Sequence, residues 1–447
     1  MNTENTTLSK WARPMPWVVL TLVSVAMMTG YIVSKEMSPL QYFLEASRAS
    51  GGMEWTSTEF GFFAGSKGFF NVFLLMLFVG GVVLDRFGVR VAGVLSMGLM
   101  IVGAGSIYLA LTSSDPTATV SLPLLSDGAL KRQVVFASLG FATFGVGYEM
   151  FGITVSKVIV HWFSGSTMAL AMGLQVSLAR LGTALALAGS PALAKAGGLT
   201  LPIVFGVVSL GVGLLLYLIF CAIDRKHRPA LQSVEESGGE GFSWKSLRAT
   251  LSNRGFWLIT LLCLFYYSSL YPFLDFATKL MISKYGVEPE LAGTIPAILP
   301  FTSIVLTPLF GYAYDRWGYG TPTMIIGSAM LTLVMAGFAL PMSSAALAVT
   351  LMVVLGIAFS LLPSVLWPAV PKLVPIDNLG TAYSVIYYIQ NIGLMLVPVL
   401  IGWLLQRSRV GESVDFTSSM WVFAFIGLCA CVSALLLHHY MRDKLNR

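Results

Sequence analysis

The sequence GVVLDRFG at residues 81–88 recurs as GYAYDRWG at residues 311–318, and this repeat decides how the chain is organised. Both copies place glycine at the first and eighth positions and an Asp-Arg pair at the fifth and sixth. Each copy closes the second apolar run in a set of six. One such motif would carry little weight, but two copies in register indicate two related helical bundles. The glycines predict close helix packing and a reversal of the chain.

The composition is that of a membrane protein. Hydrophobic residues make up 56% of the sequence and charged residues 11%, and the mean hydropathy is +0.79. Ordinary soluble domains carry about 25% charged residues. The apolar runs are continuous, and they reach the roughly 20 residues that a membrane helix needs. Because they lack the alternation of a membrane β-barrel, the sequence predicts an integral membrane protein built of helices.

Twelve predicted spans account for nearly the whole chain. We expect an all-α membrane protein with twelve transmembrane helices in two six-helix bundles, at residues 1–223 and 254–447. A cytoplasmic linker at residues 224–253 joins the bundles, and its residues 243–251 predict a short amphipathic helix on the membrane surface. The predicted spans cover residues 14–34, 60–84, 92–111, 134–160, 168–188, 201–223, 256–280, 291–314, 324–342, 345–370, 382–405 and 421–437.

The distribution of basic residues predicts the orientation. If the two motif loops face the cytoplasm, about fifteen of the 27 Lys and Arg residues fall on that side, as the positive-inside rule requires. Both termini are then cytoplasmic. The net charge of +6 follows from this topology and gives no reason to expect a nucleic-acid partner. The first span has no small-residue cleavage site and is expected to remain as a helix.

Two opposite charges interrupt consecutive apolar spans. Glu149 lies in the fourth span and Arg180 in the fifth, and a short turn joins these spans, so they should be neighbours. An ionised side chain near the bilayer centre costs about 2.5–3.5 kcal/mol, so such residues mark functional sites. Both lie about 18–21 Å from the turn, near the midplane where transporters bind substrate. The two residues form either a structural ion pair or a substrate site, and a pair that opens for substrate combines both.

Aromatic and amide side chains concentrate in the first, fourth, seventh, tenth and eleventh spans. An aromatic pocket with few fixed polar partners would accept varied side chains, although each single aromatic can equally serve packing or an interfacial belt. Lys157 lies about two turns from Glu149 and is a candidate ligand or gate residue. Lys67 and Asp275 are candidates for an external gate or a solvated vestibule. The further candidate substrate-binding residues are Tyr31, Tyr148, Tyr266, Tyr267, Tyr271, Trp367, Tyr387, Tyr388, Gln390 and Asn391.

The sequence offers little for catalysis, metal binding or redox chemistry. The four cysteines lie in or beside apolar spans and are interpreted as packing residues. The four histidines fall at predicted cytoplasmic helix ends, where we favour solvated capping over proton relay. The chain contains no H-E-x-x-H motif and no midplane Ser-His-Asp set. We therefore expect neither an enzyme nor a bound cofactor or metal.

The repeated motif resembles the signature loop of the major facilitator superfamily, which lies on the cytoplasmic side. The resemblance extends from Pro14 to His439. It implies two bundles that rock about a central cavity, with the motif loops latching the cytoplasmic side when the cavity faces outward. The candidate gating residues are Asp85, Arg86, Arg90, Asp315 and Arg316.

Further segments are similar to the lysosomal dipeptide transporters of this superfamily. They are HWFSG at 161–165, GLQVSLARLG at 173–182, LWP at 366–368 with VP at 374–375, LGTAY at 379–383 and IQNIG at 389–393. The resemblance implies passage of dipeptides by alternating access. It also implies that an acid on the fourth helix receives the peptide amine and that an arginine on the fifth receives the carboxylate. These roles fall on Glu149 and Arg180.

The chemistry of the two charged residues agrees with that assignment. An extended dipeptide is a zwitterion whose ends lie roughly 5–7 Å apart, and the arginine fork binds a carboxylate bidentately. The alternative is a carrier of small carboxylates or other organic anions, in which Arg180 alone binds substrate and Glu149 balances its charge. The first helix lacks the E-x-x-E-R signature of proton-coupled peptide transporters, so we expect a uniporter without ion coupling.

The chain looks like a compact bacterial member of this family, which places it in the bacterial inner membrane. The lysosomal relatives depend on a glycosylated companion subunit. Because the predicted outside loops at residues 37–58 and 112–132 are short, we expect a monomer with no companion subunit.

Overall fold

The computed structural model describes residues 15–112, 118–121, 129–163, 166–231, 248, 250–374, 379–411 and 413–445. Within these residues, eleven helices are long and apolar enough to cross a membrane. The long helices are α1 (Met15–Glu36), α5 (Met76–Thr112), α6 (Arg132–Trp162), α7 (Ser166–Gly197), α8 (Thr200–Leu231), α9 (Arg254–Tyr285), α10 (Thr294–Trp317), α11 (Gly320–Ala339), α12 (Ala345–Leu373), α13 (Leu379–Arg407) and α14 (Thr417–Leu445).

Shorter elements lie between the long helices. The short helices are α2 (Gln41–Glu45), α3 (Ser57–Ser66) and α4 (Phe69–Phe73), with 3₁₀ turns at Ser38–Leu40 and Arg48–Ser50. Two antiparallel hairpins pair β1 (Thr119–Val120) with β2 (Leu130–Lys131), and β3 (Arg409–Val410) with β4 (Ser413–Val414).

The predicted second span is present, but it is broken into pieces. It consists of α3, α4 and the beginning of α5. A tight turn at Lys67 and Gly68, both still in the right-handed helical region, separates α3 from α4, and the backbone leaves the helical path at Leu75, whose φ is +53°. Helix α5 has 37 residues, about 55 Å if straight, which exceeds a bilayer core of about 30 Å. Gly88 divides it, with φ 76° and ψ 171°, so α5 holds the end of the second span and the whole third span.

The motif glycines serve the chain reversal that the sequence predicts. Gly88 and Gly318 have φ of +76° and +71°, a region that favours glycine, and the Gly318 N–H donates to the carbonyl of Tyr314 at 2.8 Å. The expectation of close helix packing is wrong for the other two glycines. A Cβ added at Gly81 or Gly311 would meet no atom within 4 Å. In this structure the motif therefore shapes a turn and does not bring helices together.

The long helices end at two opposite faces of the molecule. The motif face carries residues 81–88 and 311–318, and the hairpin face carries both β-hairpins. In the first half, α5 packs along α6, and α1 packs along α7 and α8. In the second half, α14 packs on α9 and α11, while α12 packs on α10 and α11. These contacts form the two six-helix bundles that the repeat predicts.

The halves meet along two helix pairs, α3 with α13 and α7 with α10. The first pair is packed backbone to backbone. A Cβ added at Gly402 would collide with the backbone of Ser57 and Gly61, and one at Gly61 would collide with Pro398 and Gly402. Such glycine contacts let membrane helices approach closely and gain van der Waals contact.

The sixth predicted span extends further than expected toward the linker. Helix α8 continues to Leu231, past the expected boundary at residue 223. Asp224, expected in the linker, is a buried residue of α8 whose carboxylate lies 3.5 Å from the Arg90 guanidinium. The surface helix expected at residues 243–251 lies largely outside the described residues.

Because the α3–α13 contact has no room for a side chain, Gly402→Ala should lower the free energy of unfolding by about 1–3 kcal/mol. A matched control is Gly98→Ala in α5, where an added Cβ meets nothing within 4 Å. That change should leave stability equal or higher, by up to about 1 kcal/mol, since alanine favours helix over glycine. Thermal unfolding of the two purified variants checks this. Equal melting temperatures for both would contradict the packing argument.

Candidate functional site

Glu149 and Arg180 lie at the same depth on α6 and α7. Glu149 is 13 residues from the end of α6 at Trp162, and Arg180 is 14 residues from the start of α7 at Ser166, about 20 Å in each case. No ion pair within 4 Å joins them. Helix α1 packs on both α6 and α7, and its Tyr31 interacts electrostatically with both charges. The expected direct contact between the fourth and fifth spans is therefore largely replaced by α1.

The Arg180 side chain reaches across the interface between the halves. Its Nη1 donates to the Tyr271 hydroxyl at 3.0 Å, and its guanidinium carbon lies 4.4 Å from the ring centroid of Phe359. Tyr271 belongs to α9 and Phe359 to α12, so both contacts are with the second half. An oxygen acceptor and an aromatic face orient the guanidinium without neutralising it. Arg180 has no carboxylate within ion-pair distance among the described residues.

The Glu149 carboxylate makes neither a hydrogen bond nor an ion pair with the described residues. It is partly accessible, and the charged side chain that interacts with it electrostatically is Lys67. The Lys67 ammonium lies 4.7 Å from the ring centroid of Tyr148 and donates to Ser34 Oγ at 3.0 Å. Tyr148 in turn packs edge to face on Tyr31, with centroids 5.1 Å apart. The acid and its lysine thus lie on the first-half side of the interface.

An aromatic column extends from Arg180 toward the motif face. The rings of Tyr271 and Tyr267 stack with centroids 5.5 Å apart, and Tyr267 stacks on Trp367 at 6.4 Å. Trp367 then stacks on Tyr387 at 5.0 Å. Tyr387 also interacts electrostatically with Glu149. The structure therefore brings these candidate residues, with Tyr31 and Tyr148, around one central region between the halves.

Four other candidates are occupied by packing and local hydrogen bonds. The buried Tyr266 hydroxyl donates to the carbonyl of Ala358 at 2.7 Å. Gln390 accepts from the Cys263 thiol at 3.4 Å, and the Asn391 amide donates to the carbonyl of Tyr387 at 2.9 Å. Tyr388 lies 6.1 Å from Phe78. Among the described residues, no hydrogen bond joins the polar groups of these four to Glu149 or Arg180.

Lys157, a candidate ligand, lies with the motif loop instead. Its ammonium is 2.8 Å from the Asp85 carboxylate. The second half repeats this arrangement, because Lys372 at the end of α12 donates to the Tyr314 hydroxyl at 2.7 Å. Both contacts stay within their own half. The structure therefore places the Lys157 side chain at the motif loop.

The other gating candidates also make no ion pair across the halves. Arg90 pairs with Asp224 of its own half, and the Arg86 guanidinium lies 5.6 Å from the ring of its neighbour Phe87. Asp315 and Arg316 are both exposed. Among the described residues, all ion pairs that connect the halves lie on the hairpin face.

Lys35 and Asp275 form one of these ion pairs. Lys35 is in the last turn of α1 and also donates to the carbonyl of Tyr271 at 3.3 Å. Ser38 donates to the same Asp275 oxygen at 2.7 Å. Asp275 is only 14% exposed, which favours the gate interpretation over a solvated vestibule. A small cavity between the halves is lined by these residues together with Lys67.

A second cross-half network is centred on Glu45 of α2. Its carboxylate lies 2.5 Å from the Lys279 ammonium and 3.6 Å from the Arg409 guanidinium. Ser57 and Gln41 donate to its other oxygen at 2.9 and 2.8 Å. Glu45 and Lys279 are almost completely buried. A buried carboxylate with this many donors resists separation, so the hairpin face is closed.

Several of these residues were not singled out from the sequence. Lys279 was visible as a charge inside the seventh span, and Lys35 as a charge at the end of the first. Nothing in the sequence distinguishes Phe359 from the other phenylalanines, because its role depends on its contact with Arg180 of the first half. Among the described residues, no group of three or more His, Cys, Asp or Glu side chains could hold a metal ion.

Solved structures of transporters share the fold. A nucleoside transporter NupG variant superposes with a TM-score of 0.71 at 15% identity, covering 94% of this chain and 99% of that chain. A bacterial homologue of the human lysosomal transporter Spinster, in an inward-facing and occupied conformation, gives 0.69 at 15% identity and covers 95% and 97%. At this identity the likeness concerns the fold alone.

Sequence relatives are more specific. The lysosomal dipeptide transporter MFSD1 of Danio rerio is 26% identical over 395 residues, covering 83% of this chain and 78% of the relative. The human protein of that name is 26% identical over 385 residues, covering 84% and 76%. A probable sulfoacetate transporter, SauU of Cupriavidus necator, is 28% identical over 276 residues, covering 57% and 62%. The family model described as Major Facilitator Superfamily matches residues 15–398 and 276–446, and the chain therefore belongs to this superfamily.

Proposed function

We propose that this membrane transporter moves dipeptides by alternating access, with the peptide amine bound by Glu149 and its carboxylate by Arg180. One observation carries the proposal. An acid and a base stand at the same depth between the halves, and neither neutralises the other. A ligand with one positive and one negative end supplies both missing partners at once through charge-assisted hydrogen bonds.

The surroundings of Arg180 support the carboxylate role. Tyr271 and Phe359 orient its guanidinium but leave it charged. A preoriented fork loses less side-chain entropy when it binds a carboxylate. Tyr31 lies on α1, which packs on both α6 and α7, and it interacts electrostatically with both charges. A ligand that binds both charges is therefore expected to contact this ring, and the dipeptide assignment requires ends roughly 5–7 Å apart.

The relatives support the same substrate class. The proteins of Danio rerio and human that match most of this chain are named as lysosomal dipeptide transporters. We extend dipeptide transport to this chain because both charged residues that the family resemblance requires are present and face the interface between the halves.

A carrier of small organic anions is the second candidate. In that case Arg180 alone binds substrate and Glu149 balances its charge. The observation in its favour is that Arg180 has no carboxylate partner among the described residues, and one relative is named as a probable sulfoacetate transporter. An organic-anion carrier needs no free amine on its substrate, whereas the proposed dipeptide transporter does. Ligands with and without an amine therefore distinguish the two functions.

The transport cycle that we propose alternates between the two faces. Here the hairpin face is held by Glu45–Lys279 and Lys35–Asp275, while Asp85 pairs within its own half. With the motif face placed in the cytoplasm of a bacterial cell, this is an inward-facing state. Opening the hairpin face would break the cross-half pairs, and the motif loops would then close the other side. We propose uniport, without coupling to an ion.

A thermal-shift screen tests the substrate class directly. Dipeptides should raise the melting temperature of the purified protein, because a ligand that binds only the folded state stabilises it. Free amino acids, tripeptides and monocarboxylates are the comparison set and should give little or no shift. Arg180→Ala should abolish the dipeptide shift. Stabilisation by monocarboxylates as large as that by dipeptides would favour the organic-anion carrier.

The amine role of Glu149 has its own test. Glu149→Gln should weaken binding of a free dipeptide about tenfold or more, because a charge-assisted hydrogen bond is worth about 1.5–3 kcal/mol. The same variant should change binding of the N-acetylated dipeptide little. Titration calorimetry with both ligands measures the difference. Equal losses for the two ligands would remove Glu149 from the amine role.

The latch role of the motif loop is tested by Asp85→Asn. The change removes one charge from the motif face, so it should shift the population between the two access states without abolishing substrate binding. Distances between spin labels on the two halves, measured at the motif face, report that population. Unchanged distances would count against the latch.

A further inference from the structure

The central region holds more positive than negative charge. Counted together with the Lys35–Asp275 pair on the adjoining hairpin face, the charged side chains are Lys35, Lys67 and Arg180 against Glu149 and Asp275, three cations and two anions. Asp275 is already used, because it pairs with Lys35 and accepts from Ser38. Glu149 is therefore the one carboxylate of this group that has no ion-pair or hydrogen-bond partner among the described residues, although Asp275 also interacts electrostatically with Lys67.

Lys67 has the geometry of a binding group. It lies at the break between α3 and α4, where its backbone carbonyl packs so tightly on Gly145 of α6 that no side chain fits at residue 145. Its ammonium carries three donors, and the structure shows one of them donating to Ser34 Oγ at 3.0 Å. The face of Tyr148 offers a second, weaker contact at 4.7 Å. No carboxylate of the described residues lies within 4 Å of it.

The dipeptide amine changes this balance. Once an amine binds Glu149, as in the function proposed above, Lys67 loses the larger of the two negative charges that offset its own. A charge in this environment is stable only with a partner, so an anionic group beside Lys67 would be favoured. The amine and the first side chain of a dipeptide are bonded to the same carbon atom, so an amine bound at Glu149 brings the first side chain close to Glu149. Lys67 lies on the Glu149 side of the region, against Tyr148, whereas Arg180 contacts Tyr271 and Phe359 of the other half.

We infer that Lys67 binds the side-chain carboxylate of the first residue of the peptide, so that the transporter selects dipeptides that begin with Asp or Glu. This inference rests on the proposed function. It specifies the position as well as the charge, because an acidic second residue would place its carboxylate nearer Arg180 and compete with the peptide terminus.

Calorimetric titration of the full chain with Glu-Ala, Ala-Glu, Ala-Ala and Lys-Ala tests the inference. The wild-type protein should bind Glu-Ala about tenfold more tightly than Ala-Ala, since one charge-assisted hydrogen bond is worth about that factor. Ala-Glu should gain much less, and Lys-Ala should bind most weakly. In Lys67→Met, Glu-Ala should fall to the affinity of Ala-Ala, while Ala-Ala stays within about threefold of the wild-type value.

Lys195→Met is the matched control. Lys195 is an exposed lysine on the hairpin face that pairs with Glu290 across the halves and contacts no part of the proposed site, so its removal should change the affinities for Glu-Ala and Ala-Ala alike and leave their ratio unchanged. Lys67→Glu should reverse the preference toward Lys-Ala. If neither Lys67 variant folds, the affinities of the wild-type protein for the four dipeptides decide. Equal affinities for Glu-Ala and Ala-Ala overturn the inference. Wild-type protein that binds no dipeptide at all overturns the proposed function instead, which separates the two failures.

Discussion

A charged side chain among apolar helices is stable only where a partner or water offsets its desolvation, and this constraint organises the interface between the two halves. On the hairpin face the requirement is met, because Lys35 pairs with Asp275 and Lys279 with Glu45. At mid-depth it is met only in part, since Arg180 has a hydroxyl and aromatic faces in place of a carboxylate. The interface is thus saturated at one end and unsaturated at its centre, where a charged ligand gains most.

The internal repeat accounts for the similar contacts of the two halves at the motif face, and a difference between the halves accounts for the position of Lys67. Each half ends its second helix with the same Asp-Arg turn, and a lysine from its fourth helix bonds that helix end in both halves. The second helix of the first half is interrupted by a tight turn at Lys67 and Gly68 and by the left-handed residue Leu75, whereas its counterpart α10 runs unbroken. Irregular backbone at membrane depth is tolerated where protein covers it or where it lines a cavity. Helix α6 covers the turn at Lys67, and the Lys67 side chain lines the small cavity that Lys35, Ser38 and Asp275 also line.

The two faces differ in what holds them. The hairpin face combines ion pairs with the backbone contact of Gly61 on Gly402, so closing it buries charge and gains packing together. The charged groups of the motif face bond within their own half. Such an arrangement lets the halves tilt about their central contacts while each bundle stays intact. Among the described residues, the ion pairs between the halves lie at one end of the interface, so a switch between two states would have to separate them.

The sequence by itself determined the membrane class, the positions of the twelve spans to within a few residues at most ends, the duplication and the two mid-bilayer charges. These follow from local chemistry, because hydrophobic length and buried charge can be read without knowing neighbours. Only the tertiary structure decided that α1 packs on the helices of both Glu149 and Arg180 and that Phe359 faces the guanidinium. It also decided that the Tyr266 and Asn391 side chains donate to backbone carbonyls and that Lys157 pairs with Asp85 of the motif loop. Those facts depend on which helix faces which, and contacts between distant segments leave no mark on the local sequence.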